Sequence, residues 1–221
     1  MPAESALRDR LGSGFSLIET LRWEPQAGFV RLDRHMARLA ESARELGFVR
    51  DPAAIESALA KVACGDAPLR VRLLLAPDGA ASATAQPFLP LPKNTVWTLR
   101  VARARLDSND PLLRHKTTRR TAYDAARAEF SPVEADEVVL LNERGEVCEG
   151  TITSVFIDRG DGGPLLTPPL SSGLLAGVLR QSLIEDGKAV ESPLQVEDLA
   201  GSRCIYCGNS LRGLIASRLM A

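Results

Sequence analysis

Gly145-Glu-Val-Cys-Glu-Gly-Thr-Ile-Thr-Ser-Val-Phe156 is preceded by Asn142-Glu-Arg-Gly145, and together they read as a turn followed by a returning strand. Asn and Gly tolerate the backbone angles of a tight turn, and Val147 to Ile157 supplies the β-branched and apolar content of the return. Upstream, Glu137 to Leu141 and Val96 to Val101 read as further strands. Thr121 to Phe130 is expected as a helix, Asp158 to Gly163 as a loop, and Leu175 to Glu185 as an amphipathic helix ended by Gly187. This half of the chain is therefore strand-rich with helices between the strands.

The first half is patterned differently. Asp33 is expected to cap a helix whose apolar positions Met36, Leu39, Ala40, Ala43 and Leu46 follow helical spacing, with Gly47 ending it. Asp51-Pro52 opens a second helix, carrying Ile55, Leu59 and Val62 and stopping at Gly65. Leu69 to Leu75 alternates as a strand. Gln86 to Asn94 holds Pro87, Pro90 and Pro92, which favours an extended connector. We place a boundary there, giving a small N-terminal α/β domain over residues 1–90 and a larger strand-rich C-terminal domain over 91–221. No Gly-rich phosphate loop follows the first strand, so the order of elements argues against a Rossmann domain and for two α+β units.

With 221 residues, 45% hydrophobic and 25% charged, and 27 basic against 28 acidic side chains, the chain is neither a disordered tail nor a polybasic nucleic-acid binder. No stretch approaches the roughly 20 apolar residues needed to cross a bilayer, and the N-terminus does not resemble a secretory leader. A cytoplasmic protein that engages neither membrane nor nucleic acid is expected. Cys64, Cys148, Cys204 and Cys207 are too few and scattered for a disulfide framework. Cys204 and Cys207 form C-x-x-C, but no second pair exists and neither His35 nor His115 stands at a ligand-like spacing, so the pair reads as two positions of a strand Arg203 to Cys207 and no metal is expected.

The only lysines are Lys61, Lys93, Lys116 and Lys188. Three read as solvated surface residues. Lys116 lies in Arg114-His-Lys-Thr-Thr-Arg-Arg120, where neighbouring positive charges favour the neutral amine that Schiff-base chemistry requires, although on charge alone a basic surface loop before a helix accounts for it more simply. Glu149 falls at the end of one strand and before another, as a hairpin carboxylate also would. Gly173-Leu-Leu-Ala-Gly-Val-Leu-Arg180 puts a glycine before a helix, so the N–H groups of Val178 and Leu179 can face an anion. Cys207-Gly-Asn-Ser-Leu-Arg-Gly213 ends a strand in a polar loop.

In order and spacing these segments resemble the class IV aminotransferase family, which includes branched-chain aminotransferases, D-amino-acid aminotransferases and 4-amino-4-deoxychorismate lyases. The resemblance begins at Leu17-Ile-Glu-Thr-Leu-Arg-Trp23, continues through Arg31-Leu-Asp-Arg-His-Met-Ala-Arg-Leu39, and takes in the lysine, glutamate, glycine-helix and Asn-Ser segments. Lys116-Thr-Thr-Arg-Arg120 with Asn209-Ser-Leu-Arg-Gly213 is most similar to the lyase branch. Ser154 stands where the family usually carries asparagine, and Arg120 stands near the place of a tyrosine found in many of its aminotransferases.

The resemblance implies a two-domain fold-type IV enzyme using pyridoxal 5'-phosphate, with the cofactor between the two domains and a homodimer as the assembly. It implies that Lys116 forms the internal aldimine and shuttles a proton, and that Glu149 pairs with the pyridine nitrogen. Arg38 is implied for the cofactor phosphate, with the amides of Val178 and Leu179 and the loop at Asn209 and Ser210. Arg120 belongs to the same cofactor set, and Arg212, Arg120 or Tyr123 is expected on the substrate. A surface pair with Glu41 accounts for Arg38 otherwise. The implied reaction converts 4-amino-4-deoxychorismate, a small-molecule amine, into 4-aminobenzoate and pyruvate for folate biosynthesis, with an aminodeoxychorismate synthase as a partner. A transaminase acting on branched-chain or other amino acids, and a non-catalytic degenerate family member, are the alternatives.

Overall fold

The computed structural model describes residues 14–220, so the first 13 residues, where a leader was sought in the sequence, lie outside the description. Backbone contacts separate two compact units. The first takes the described residues up to Leu89 together with His115–Arg119, and the second takes Pro90–Arg114 and the chain from Arg120 onward. The contact division falls between Leu89 and Pro90, and His115–Arg119 groups with the first unit. The segment bearing Lys116 belongs to the first unit because its backbone pairs there.

In the first unit a four-stranded sheet runs in the order β2-β1-β3-β4, with β1 at Leu17–Glu24, β2 at Gly28–Phe29, β3 at Leu69–Leu75 and β4 at Ala81–Pro87. β1 and β3 are antiparallel from Leu17↔Leu75 to Trp23↔Leu69. Leu17, Leu21, Val71, Leu73 and Leu75 are buried, as alternation along half-covered strands requires. Helix α1, Leu32–Leu46, lies against β1, and α2, Pro52–Ala60, lies against β3 and β4.

Asp33 does not cap α1. The chain enters the helix through Arg31, whose left-handed φ of 55° closes the turn after β2, and Asp33 sits in the first helical turn, where its charge still suits the dipole. Gly47 ends α1 at a φ of 68°. The Asp51 side chain caps α2 by accepting from Ala53 N–H at 2.9 Å, and Pro52 takes the first helical position. That helix stops at Ala60, leaving Val62 beyond it. Pro87 pairs with Leu69 as the last residue of β4, an outer strand on which a missing N–H leaves no partner unsatisfied. The connector therefore begins at Phe88, two residues later than expected.

The second unit holds an eight-stranded sheet in the order β10-β9-β8-β11-β12-β5-β6-β7. Its strands are β5 Val96–Leu106, β6 Glu137–Asn142, β7 Val147–Gly150, β8 Ser154–Asp158, β9 Leu165–Thr167, β10 Ala189–Glu191, β11 Cys204–Asn209 and β12 Gly213–Leu219. Its helices are α3 Thr121–Ala128, α4 Val178–Glu185 and α5 Val196–Gly201. β6 is covered on both faces. Val139 and Leu141 pack with Trp97, Val155 and Ile215, whereas Val138 and Leu140 pack with Ala126, Cys148 and Leu174. Double coverage explains its uninterrupted Val-Val-Leu-Leu run.

Three elements differ from expectation. β5 continues five residues past Val101 across a register irregularity, where the Glu129 carboxylate accepts from the N–H groups of Arg103 at 2.6 Å and Ala104 at 3.0 Å. Those side-chain acceptors stand in for the missing ladder bonds, a compensation that alternation does not reveal. The return from the Asn142–Gly145 turn is two strands, broken at Thr151-Ile152-Thr153. Helix α4 begins at Val178 rather than Leu175.

Cys204 and Cys207 are free thiols on β11, with Cys207 buried and pushed up to about 12 by that burial. Among the described residues no helix is long and apolar enough to cross a membrane, and no cluster of His, Cys, Asp and Glu suits a metal ion.

Candidate active site

In the first unit, a buried charge sits in β1 at a phase that otherwise carries apolar side chains. Glu19 is 1% exposed and His35 on α1 equally so. His35 Nδ1 lies 2.6 Å from Glu19 Oε2, and Arg38, one helical turn on, donates from Nε to Oε1 at 2.9 Å and from Nη2 to Oε2 at 2.6 Å. Burial raises the Glu19 carboxyl, but the Arg38 charge and the hydrogen bonds of His35 and Arg38 outweigh it and leave the group at about 2. Arg38 therefore pairs with Glu19 through a bidentate contact, rather than with Glu41 on the helix surface.

Farther along α1, Ser42 Oγ lies 2.9 Å from His115 Nδ1, and Glu45 lies 3.4 Å from His115 Nε2. His115 opens the segment that carries Lys116. Ile18 N–H donates to the Lys116 carbonyl at 2.8 Å, Thr118 N–H to the Ser16 carbonyl at 2.9 Å, and Leu17 bridges Thr117. Lys116 is thus held in extended backbone on the edge of β1 opposite β3, with its side chain half-buried.

In the second unit, Glu149 occupies β7, the outermost strand, and is 4% exposed. Its Oε1 accepts from the Tyr123 hydroxyl at 2.7 Å and from Leu175 N–H at 3.1 Å. Burial and the Glu149 charge push the Tyr123 phenol well above its usual range. The Arg120 guanidinium lies over the Tyr123 ring, 4.9 Å from its centre, and donates to the Thr151 carbonyl at 2.7 Å.

Residues Thr151 to Thr153, between Glu149 and Ser154, are fixed from beneath by Glu137. Its Oε1 accepts from Thr151 N–H at 3.0 Å and Oγ1 at 2.6 Å, and its Oε2 from Ile152 N–H at 3.2 Å and Thr153 Oγ1 at 2.8 Å. A Cβ on Gly150 would fall 2.8 Å from Glu137 Oε2 and collide with Thr153 Oγ1, so only glycine fits. Asn209 completes the frame, donating from Nδ2 to the Ile152 carbonyl at 3.2 Å and accepting from Arg212 N–H at 3.0 Å. The Asn209 amide is committed to these two loops, and Ser210 beside it is buried.

The start of α4 lies in the second unit as well. Gly177 precedes the helix in extended conformation with no side-chain cap, so the N–H groups of Val178 and Leu179 are among the donors that no i−4 carbonyl serves. A Cβ on Gly177 would lie 2.6 Å from Ser154 Oγ, and one on Gly208 would lie 2.8 Å from Leu179 Cδ2. Glycine at both positions lets β8, β11 and the helix start converge. Uncapped amides beside a buried hydroxyl at a helix start make a donor set suited to a dianionic phosphate. A buried carboxylate held in place by hydrogen-bond donors suits a protonated pyridine nitrogen. The residues present therefore fit pyridoxal phosphate.

Of the sequence-predicted residues, the second unit brings Tyr123, Arg120 and Glu149 into one contact chain and ties Asn209 to the backbone of Arg212. In the first unit, Lys116 and Arg38 lie on two elements that flank β1. Sequence reasoning missed Glu19, His35 and Glu137. Their signal was a carboxylate at a buried phase of each strand, with a His and an Arg one turn apart facing the first.

Comparison with known proteins agrees with this chemistry. The model of the amino-transferase class IV family matches residues 16–218. A crystal structure from Mesorhizobium loti, provisionally named an amino-acid aminotransferase, is 52% identical, covering 94% of this chain and 100% of that one with a TM-score of 0.92. The 4-amino-4-deoxychorismate lyase structure from Pseudomonas aeruginosa is 26% identical over 92% of this chain and 82% of its own, with a TM-score of 0.78. A Schizosaccharomyces pombe protein, provisionally named an aminodeoxychorismate lyase, is 29% identical over 203 residues, 89% of this chain and 86% of that protein. The chain belongs to the class IV aminotransferase family and is a pyridoxal-phosphate-dependent enzyme of fold type IV.

Proposed function

We propose that the protein is a 4-amino-4-deoxychorismate lyase, releasing 4-aminobenzoate and pyruvate. The observation that carries the choice of branch is similarity along nearly the whole chain to two proteins bearing that name, from S. pombe and P. aeruginosa. The Lys116-Thr-Thr-Arg-Arg120 and Asn209-Ser-Leu-Arg-Gly213 segments support it.

Lys116 carries the covalent link to pyridoxal phosphate, and Glu149 partners its ring nitrogen. Arg38, preset by Glu19, serves the phosphate together with the Val178 and Leu179 amides and the Ser210 turn. Bound pyridoxal phosphate supplies the sink for the electron pair left when a C–H bond breaks at the amine-bearing carbon. Once the substrate amine has displaced it from the cofactor, Lys116 Nζ would take that proton. Return of that electron pair would form the last ring double bond and expel the neighbouring oxygen as the enolate of pyruvate, which would take up a proton to give pyruvate as the ring becomes aromatic. Arg120 holds the Tyr123 ring and the Thr151 carbonyl, and we assign Arg212 to a substrate carboxylate. A homodimer in the cytoplasm, supplied by an aminodeoxychorismate synthase and serving folate biosynthesis, completes the reading.

The test combines chromatography of 4-aminobenzoate with a coupled pyruvate assay, using aminodeoxychorismate made in situ. Equimolar products establish the lyase. Product-free incubations, together with transfer of an amino group from an amino acid to 2-oxoglutarate, establish the second reading, an aminotransferase, which the name of the M. loti relative favours. Light scattering at twice the chain mass is expected for the dimer.

A further inference from the structure

Tyr123 has the composition of a substrate ligand, an aromatic ring with a polar tip, but its hydroxyl is taken up within the protein. It donates to Glu149 Oε1 at 2.7 Å, the same oxygen that receives Leu175 N–H at 3.1 Å. Three separate pieces of chain thus converge on one atom: helix α3, strand β7 and the segment ahead of α4. The ring is held in turn by the Arg120 guanidinium, which is fixed to the Thr151 carbonyl.

We propose that Tyr123 is a positioning residue that sets the torsion of the Glu149 carboxylate, so that it acts on the cofactor through Glu149 and not on the substrate. The proposal rests on the assignment of Glu149 to the ring nitrogen.

A carboxylate on an outermost strand has rotameric freedom about several bonds, and a partner for a ring nitrogen must present its oxygen in the ring plane. Two donors on Oε1 remove that freedom before any cofactor arrives. The phenol is suited to this task because burial and the adjacent Glu149 charge keep its proton in place, so it donates throughout the range in which the enzyme works. A hydrogen bond to a charged acceptor is also among the stronger neutral-to-ion contacts a protein can make. Arg120 contributes by holding the ring face, which a phenylalanine at position 123 would preserve.

The experiment is a double-mutant cycle on the full chain, with pyridoxal phosphate affinity measured by absorbance for the parent, Tyr123→Phe, Glu149→Gln and the double variant, alongside the melting temperature of each without cofactor. Tyr123→Phe is expected to weaken binding about tenfold. Added to Glu149→Gln it is expected to weaken binding no further, because its effect has no other route. Melting temperatures within a few degrees of the parent are expected for Tyr123→Phe, since the ring and its stacking remain.

Losses that multiply in the double variant, or a Tyr123→Phe protein that binds like the parent, would overturn the proposal. Glu149→Gln binding as tightly as the parent would overturn the assignment of Glu149 and the proposal with it. A parent that binds pyridoxal phosphate on Lys116 yet makes no 4-aminobenzoate overturns the lyase reading alone and leaves the coupling measurement intact.

Discussion

Glu19 grips Arg38 through two hydrogen bonds, from Nε at 2.9 Å and Nη2 at 2.6 Å, and does so from a strand position that is 1% exposed. On the proposed reading, an arginine held in this way meets the cofactor phosphate with its guanidinium plane already fixed, so little ordering is left for binding to impose. Breaking one member of such a set leaves a buried charge without its partner. Glu19→Gln is expected to lower stability by about 3–5 kcal/mol, read as urea or thermal unfolding. An unchanged melting temperature would show that the contact is energetically idle.

The same pair fixes a pH dependence. Glu19 titrates at about 2 in the fold against an ordinary 4.5, so its stabilising contribution is complete above pH 4.5 and disappears as the pH falls toward 2. The shift corresponds to about 3 kcal/mol. Unfolding free energy of the parent should therefore drop across that window. The Glu19→Gln protein should show a correspondingly shallower drop, and parallel curves would refute the assignment.

Lys116→Ala is expected to abolish the covalent adduct and to lower turnover by ~10³-fold or more, while far-ultraviolet dichroism stays that of the parent. Ile18 N–H donates to the Lys116 carbonyl, which alanine retains, so that edge pairing survives. Borohydride reduction followed by peptide mass mapping should place the adduct on Lys116 in the parent and nowhere in the variant.

Gly177→Ala would bring a methyl group 2.6 Å from Ser154 Oγ, tighter than packed atoms tolerate. A loss of about 1–3 kcal/mol is expected from thermal unfolding, together with weaker retention of pyridoxal phosphate. Ser154→Ala removes the offending oxygen, and the remaining Ser154 contact, its Cβ at 3.9 Å, is an ordinary one. The double variant should consequently recover most of the stability. Simple addition of the two single effects would count against the steric account.

Glu137→Ala removes the acceptor of two hydroxyls and two N–H groups in the stretch 151–153. Several kcal/mol of destabilisation is expected, since those buried donors would be left without partners. Hydrogen exchange should localise the loosening to Thr151, Ile152 and their neighbours, and uniform exchange would show that Glu137 does not act locally.

Much of this was legible in the order of residues. The α1 ending at Gly47, the Asp51-Pro52 helix start and the β3 alternation follow from local rules, because capping and periodicity are decided within a few neighbours. Lys116 could be singled out by its basic surroundings, whereas Glu149 stood out only through the resemblance of the whole ordered set of segments. What escaped was non-local. The break between β7 and β8 is imposed by Glu137, which lies 14 residues before Thr151 and binds the broken stretch through a carboxylate that no periodicity announces. The roles of Glu19 and His35 likewise depend on a strand and a helix meeting 16 residues apart, and the extension of β5 depends on Glu129 arriving from beyond α3.

The edge pairing of His115–Arg119 carries one further consequence, for biosynthesis. The chain leaves the first unit after Leu89, builds β5 of the second, and returns only for those five residues before departing again at Arg120. On the ribosome, β1 must therefore wait with that edge unfilled until almost 100 further residues have been made. No continuous fragment ending near Leu89 carries Lys116, so on the proposed assignment the smaller unit cannot be excised, shuffled or inherited separately without forfeiting the chemistry.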